Sequence, residues 1–453
     1  MLTPARVLWV AILASFVAFL DGTIVNVALP AIDRELGGGL AVQQWVVDGY
    51  LITLGALMLV AGSISDAFGR VLVLRIGLVG FGIASVAISV TPDPIILVVA
   101  RMIQGAAGAF LVPSSLALIT STFSGPAQAK AIGTWTSLTT GAMIAGPLIG
   151  GLLVDLASWR LAFLINVVPI AATLWMLRGA ADPQRHPDAR IDVLSAALCT
   201  LGLGGLVYGL IEQPRLGWGH PAIPAALASG AVLFALFLIR QRTATSPILP
   251  LDLFRVRNFW VGNVTTTLVY AALSLNGFVL AIYLQQGAGL SATMAGLASL
   301  PTTVLMILLS SRIGVLAGRW GPRLFMTVGP VLMGAGSLMF LAVREPFDYW
   351  WQVLPGMIVF GLGLSIMVSP LTAAILGAIE PARSGIASAV NNAISRVAGL
   401  VAVAAVGTIV GGTLDLDGFY RAALVVAALM VAGGLVSLAG IRNPERAAAP
   451  PGA

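Results

Sequence analysis

The chain has 453 residues, of which 58% are apolar and only 9% charged, with a mean hydropathy of +0.99. A water-soluble globule needs roughly 25% charged residues to cover its surface, so a soluble enzyme or binding domain is excluded and the apolar stretches must face lipid. The formal charge of +6 would fit a nucleic-acid partner in a soluble protein, but here the basic residues mark one side of a bilayer instead.

Apolar runs of roughly 20 residues, the length that crosses about 30 Å of hydrocarbon, recur along the chain. They are continuous rather than alternating, which predicts helices and not barrel strands. The spans fall near 7–29, 43–64, 72–91, 95–121, 130–155, 161–178, 193–212, 222–240, 258–284, 293–316, 324–343, 351–377, 385–411 and 420–441. With Arg6 placed in the cytoplasm, most of the 24 basic residues fall on that side. Only Arg34, Arg160, Arg215, Arg344 and Arg421 lie opposite, and Arg101 and Arg396 lie within spans. Both ends are therefore expected in the cytoplasm. The start has the look of a signal peptide, but no small-residue cleavage site follows and Asp21 and Asn26 interrupt its apolar run, so a retained helix is expected.

In the first span, Leu20-Asp21-Gly-Thr-Ile-Val-Asn26 sets a carboxylate near mid-membrane, at a cost of about 2.5–3.5 kcal/mol on insertion scales. Burial favours the protonated form and a nearby Arg the charged one, so Asp21 can gain and lose a proton as its surroundings change. The plainer alternative is a helix-packing hydrogen bonder. Asp48, in Trp45-Val-Val-Asp48-Gly-Tyr50, is expected about one turn into the second span from outside, at a cavity mouth or in interfacial water. After that span, Gly62-Ser-Ile-Ser-Asp66-Ala-Phe-Gly69-Arg70 packs glycines, an acid and a base into one turn. Asp66 can latch a neighbouring cytoplasmic base, although a merely topogenic turn is the alternative. In the fourth span, Arg101, Gln104, Gly105 and Gly108 form one small and polar face, with Asp21 as partner for Arg101 unless that side chain snorkels. The fifth carries Gly141, Gly146-Pro147, Gly150 and Gly151, which permit a bend and close helix contact.

Two polar stretches, 179–192 and 241–257, isolate spans seven and eight. The expected organisation is therefore a six-helix bundle over 1–178, a linker with two additional helices over 179–257, and a second six-helix bundle with a short tail over 258–453. A repeat supports this, since Gly314-Val-Leu-Ala-Gly318-Arg319-Trp-Gly321 follows the tenth span as Gly62 to Arg70 follows the second. Parallel repeats of this kind place a substrate site near the midplane. Candidate path residues are Asn26 and Gln104 in the first bundle. In the second they are Asn263, Thr266, Thr267, Tyr270 and Asn276, then Asn391, Asn392, Ser395 and Arg396; ordinary interhelical bonding is the alternative for the neutral ones.

The only lysine, Lys130, is not preceded by a phosphate-binding glycine loop, so no Walker-type ATP site is expected. His186 and His220 fall on opposite sides and Cys199 stands alone, so neither a metal site nor an enzyme's catalytic constellation is expected. Transport must then use an ion gradient or run downhill.

The loop Gly62, Asp66, Gly69, Arg70, Leu74 resembles the GxLaDrxGrkxxl signature of the major facilitator superfamily, with Ala67 and Val71 where a base is usual and Gly318 in place of the acid in the second copy. Arg101-Met-Ile-Gln104-Gly105 resembles that family's RxxqG motif. The Gly141 to Gly151 run resembles its antiporter motif, and the Asp21 stretch is similar to the first helix of the fourteen-helix drug:proton antiporters. The resemblance implies an all-α membrane fold of two six-helix bundles plus a two-helix insert, in a bacterial inner membrane. It further implies proton-coupled export, by alternating access, of lipophilic and often cationic drugs or antibiotics. Asp21, Arg101 and Asp48 would couple protons, Gly62, Asp66, Gly69, Arg70 and Arg319 would gate, and the chain would work without a cofactor, as a monomer among membrane lipids. The same fold would also suit export of an endogenous metabolite, lipid or self-made antibiotic, or a sensor that moves nothing.

Overall fold

The computed structural model describes residues 3–180, 192–244, 247–380 and 383–443. Among them the regular structure is helical: α1 Pro4–Leu36, α2 Gly39–Phe68 and α3 Arg70–Val90, α4 Pro94–Thr122, α5 Gly125–Leu156, α6 Trp159–Met176, α7 Val193–Leu216 and α8 Ala222–Thr243. There follow α9 Arg257–Gln286, α10 Ala292–Trp320, α11 Pro322–Ala342 and α12 Tyr349–Leu376, α13 Ser384–Ala404 with a further turn Val406–Val410, and α14 Leu416–Gly440. Thirteen of these are long and apolar enough to cross a membrane, while α5 is helical along 32 residues with a shorter apolar stretch at Ala145–Leu156. The fold class expected from the apolar runs holds.

Local chemistry sets the ends and the breaks. Asp93 caps α4, its Oδ1 accepting from Ile95 N at 2.7 Å and Ile96 N at 3.0 Å, which satisfies donors no helix can satisfy itself. Gly69 at φ 101° and Gly321 at φ 85° turn the chain between α2 and α3 and between α10 and α11, a conformation glycine adopts without penalty. Pro113 and Pro169 have no N–H to offer the carbonyls four residues back, and α4 and α6 are interrupted there, at 109–110 and 165–166.

Contacts group the chain into two compact units. One comprises Met1–Pro250, Leu273–Leu300 and Ser395–Ala422, the other Leu251–Ala272, Pro301–Ile394 and Ala423–Ala453. In the first, α7 lies along α2 and the end of α13. Ile52 and Ala56 of α2, Cys199, Leu203, Val207 and Ile211 of α7, and Leu400 and Ala404 of α13 form one buried cluster. At the level of Trp45, its indole N–H donates to Glu212 Oε1 at 3.0 Å, and Arg215 holds the other carboxylate oxygen at 2.7 Å. The two-helix insert, opaque in the sequence, is thus fastened to α2. Trp45→Phe leaves an oxygen of the buried Glu212 carboxylate short of a donor and is expected to cost about 1–3 kcal/mol, read as a lower thermal midpoint in detergent. At the other end of the hairpin Asp192 caps α7 and accepts from Arg240 at 2.9 Å. Burial raises the Asp192 pKa, but the bonds from Arg240 and Ser195 outweigh it and leave it below the usual value. That stabilisation is complete above the ordinary carboxylate range and is lost as pH falls through the depressed value, so it persists at neutral pH.

Candidate functional site

The first unit carries a buried polar knot in an apolar bundle. Gly105 makes it possible: a Cβ there would stand 2.2 Å from the Tyr50 carbonyl oxygen, so only glycine lets α4 lie this close to α2. That approach brings Gln104, the residue before it, and Arg101, one turn earlier, against α1. Arg101 Nη1 donates to Asp21 Oδ2 at 2.7 Å and to Gln104 Oε1 at 2.6 Å, and its Nε donates to the Val46 carbonyl at 2.9 Å. Gln104 Nε2 donates to Asp21 Oδ1 at 3.1 Å and to Ser85 at 2.9 Å. The guanidinium lies over the Tyr50 ring at 4.4 Å and near Phe163 at 5.5 Å. Arg101 is 1% exposed and Asp21 0%, so the arginine does not snorkel.

Asn166 completes the knot, donating from Nδ2 to Asp21 Oδ1 at 2.9 Å. The sequence reading missed it and Ser85, which the chain disguises as routine polar residues of apolar spans. The available signal was the Pro169 break, which fixes Asn166 at the interruption of α6. Its Oδ1 is buried without a hydrogen-bond partner.

Asp48 differs from expectation. Helix α2 begins at Gly39, so Asp48 lies more than two turns inside, 0% exposed, with neither carboxylate oxygen hydrogen-bonded. Gln44, one turn before it, donates to the carbonyls of Val403 and Ala404 at 2.7 and 2.9 Å, and Ile52, one turn after, belongs to the cluster with Leu400. The face carrying Asp48 is covered by α13 and α7, which the local sequence does not reveal.

The antiporter-like run on α5 makes backbone contacts on two sides. A Cβ on Gly146 would meet Thr23 Oγ1 at 2.0 Å, two residues from Asp21, and one on Gly150 would meet Ile24 at 2.4 Å. A Cβ on Gly151 would lie 2.6 Å from Thr293 Cα, and Gly296 faces the Pro147 carbonyl just as closely. Gly141 has open space beside it.

At the gating repeat, Arg70 donates to the Ala117 carbonyl at 3.2 Å; Gly62 and Arg319 are exposed. The side chain of Asp66 lies outside the described residues, as do His186 and most of the 179–192 stretch. In the second copy Asn443 ties the turn together, with Oδ1 accepting from Arg323 N at 3.1 Å and Nδ2 donating to the Trp320 carbonyl at 3.3 Å; the sequence reading did not single it out.

In the second unit, Asn391 Nδ2 donates to Asn263 Oδ1 at 3.0 Å and to Thr266 Oγ1 at 2.9 Å, while Asn263 donates to the Phe259 carbonyl at 2.8 Å. These side chains clamp α9 to α13. Thr267 bonds the Asn263 carbonyl and Asn392 the Ser388 carbonyl, each within its own helix. Tyr270, and Ser395 of the first unit, are part-buried. Asn26, Asn276 and Arg396, all in the first unit, are part-exposed side chains with no protein hydrogen-bond partner among the described residues.

The family model of the Major Facilitator Superfamily matches residues 11–403. A methylenomycin A resistance protein of Bacillus subtilis is 34% identical over 411 residues, covering 90% of this chain and 88% of that one. A protein of the same description from Streptomyces coelicolor is 32% identical over 455 residues, covering 98% and 94%. Among solved structures, a peptide transporter POT in complex with sulfate superposes with a TM-score of 0.71 at 14% identity, over 95% of this chain and 93% of that one, which is a likeness of fold.

Proposed function

Because this chain belongs to the major facilitator superfamily, we propose that it is a proton-coupled antiporter exporting lipophilic drugs or antibiotics by alternating access. It is a multi-pass membrane transporter of small molecules and not an enzyme. The finer reading places it in a bacterial inner membrane with both ends cytoplasmic, as a monomer driven by the proton gradient without a cofactor. The relatives described as methylenomycin A resistance proteins support the cargo class, and the buried contact of Asp21 with Arg101 at 2.7 Å carries the coupling.

An ion pair held in oil is stable only while both charges are present. A proton delivered to Asp21 cancels its charge and leaves Arg101 facing a neutral acid, so the α1–α4 contact weakens. Asn166 suits either state. Its Nδ2 donates to the carboxylate, and because its Oδ1 has no bond to lose, the amide can turn and accept from the protonated acid. The Gly146 contact with Thr23 passes a shift of α1 to α5. Gly62, Asp66, Gly69, Arg70 and Arg319 would serve the cytoplasmic gate.

Asp48 is the second proton carrier in this reading. Charged, it would carry the full desolvation cost without one donor, so its proton leaves when the face it shares with Gln44 and Ile52 parts and water enters. Asp48→Asn is expected to lower gradient-driven accumulation about tenfold in everted vesicles while substrate counterflow persists. Wild-type accumulation in that variant removes Asp48 from the coupling scheme.

A further inference from the structure

Arg396 is an arginine inside a membrane-spanning helix with no counter-charge among the described residues. It lies in the second half of α13, on the face that meets α2, since a Cβ on Gly55 would lie 3.8 Å from the Arg396 Cβ. That approach at Cβ sets the root of its side chain against protein and not lipid. No carboxylate of the described residues pairs with it. Asp21 is committed to Arg101, and Asp48 lies two turns nearer the start of α2 than Gly55 and bonds nothing. Among the described residues Arg396 has no hydrogen-bond or ion-pair partner, yet it is part-exposed rather than sealed.

A hydroxyl lies against the same helix one turn along. One turn further on α13, Gly399 packs directly on Ser274 of α9, whose Oγ lies 2.4 Å from where a Cβ would stand. The Ser274 hydroxyl also has no hydrogen-bond partner among the described residues. A guanidinium without a counter-charge, with a hydroxyl nearby, suits an anion, and the guanidinium repels a cation. An intramembrane charge that the protein leaves unpaired is costly unless something else supplies the counter-charge.

Resting on the exporter reading above, we propose that Arg396, assisted by Ser274, binds the anionic group of the exported molecule, and that the substrate class is amphipathic carboxylates rather than lipophilic cations. The carboxylate takes the planar guanidinium fork in two parallel hydrogen bonds while its apolar body lies on the helices. The proton that drives export and the charge that selects cargo are then handled by different residues, Asp21 on α1 and Arg396 on α13.

The test uses purified full-length protein and a small panel of aromatic carboxylic acids, each paired with its methyl ester, with binding followed by tryptophan fluorescence. Wild-type protein is expected to prefer the acid over its ester at least tenfold for the members it binds. Arg396→Gln is expected to erase that preference, and Arg396→Lys to keep part of it because charge remains without the fork. Gel filtration and an unchanged thermal midpoint establish that the variants are folded. Should they not be, the same preference is read on Ser274→Ala, expected to weaken acid binding two- to fivefold. If wild type binds none of the acids, or acids and esters alike, or if folded Arg396→Gln keeps the full preference, the assignment is overturned. Gradient-driven uptake of the esters into everted vesicles would in that event leave the exporter reading standing. Acid preference without gradient-driven movement of any probe would instead remove the exporter reading and leave Arg396 as the site of a sensor.

Discussion

In Asp21→Asn, uptake of substrate into everted vesicles under an imposed pH gradient is expected to fall to background, a loss of a hundredfold or more, while counterflow driven by substrate alone stays within a few-fold of wild type. The substitution keeps the size of the side chain and its place against Arg101, Gln104 and Asn166, but removes the group that takes the proton. Arg101 then faces a permanent neutral, as it would in the protonated half of the cycle. Arg101 keeps its bonds to the Val46 carbonyl and Gln104, so the stability lost is smaller than when the arginine itself is removed. Arg101→Ala is the contrasting variant, for it strands a buried carboxylate and is expected to destabilise by about 3–5 kcal/mol, so its inactivity would be accompanied by a lower thermal midpoint. If Asp21→Asn still moves substrate in proportion to the pH gradient, the coupling assignment is wrong, whatever else the knot does for stability.

The spans were readable because the bilayer imposes one length and one composition on every crossing segment. The Asp21, Arg101 and Gln104 positions were readable for the complementary reason: each is a polar group where polarity is expensive. That logic stops at residues that are cheap anywhere. Asn166 and Ser85 are bound to the same carboxylate and carboxamide, yet a lone Asn or Ser in an apolar run has too many ordinary explanations to be singled out. Asp48 failed in another way. Its depth depends on where α2 begins, and Gly38, at φ 97°, starts the helix earlier than the apolar run does. The α7 and α13 residues that cover it are more than a hundred positions distant. The insert was silent because α7 is apolar all round, and Glu212, which fastens it through Trp45, reads locally as the polar end of a span. Arg396 was legible as a charge in a helix, but its want of a partner among the described residues, which gives it meaning, exists only in three dimensions.

The second large effect is expected from Gly151→Leu. Within the first unit, α5 and the start of α10 are fitted together by three features. Gly151 admits Thr293 and Ala292 to backbone distance, Gly296 admits the Pro147 carbonyl, and Asp155, one turn beyond Gly151, accepts from Ala292 N at 3.0 Å and Thr293 N at 2.7 Å. The carboxylate caps a helix that is not its own, which is favourable only while the two helices touch. This contact lies at the end of α1–α5 farthest from the N-terminus, the outward end in the proposed topology, and alternating access requires it to form and break in each cycle. A leucine at 151 cannot be housed where a single Cβ would already lie 2.6 Å from a backbone carbon. Overpacking of that kind costs about 1–3 kcal/mol, charged almost entirely to the closed arrangement and not to the one in which the helices have parted. A shift of that size moves the equilibrium roughly tenfold or more toward the open state. Cys199 is the only cysteine, so with Cys199→Ser and Thr293→Cys a membrane-impermeant maleimide added from outside reports the contact directly. Gly151→Leu is expected to raise the labelling rate about tenfold and to cut gradient-driven export by at least as much. Asp155→Asn, which loses the charge of the cap but not its shape, is expected to move both in the same direction by a smaller factor. Wild-type labelling together with wild-type export in Gly151→Leu would mean that the helices tolerate the leucine by yielding elsewhere, and that the contact is scaffold rather than gate.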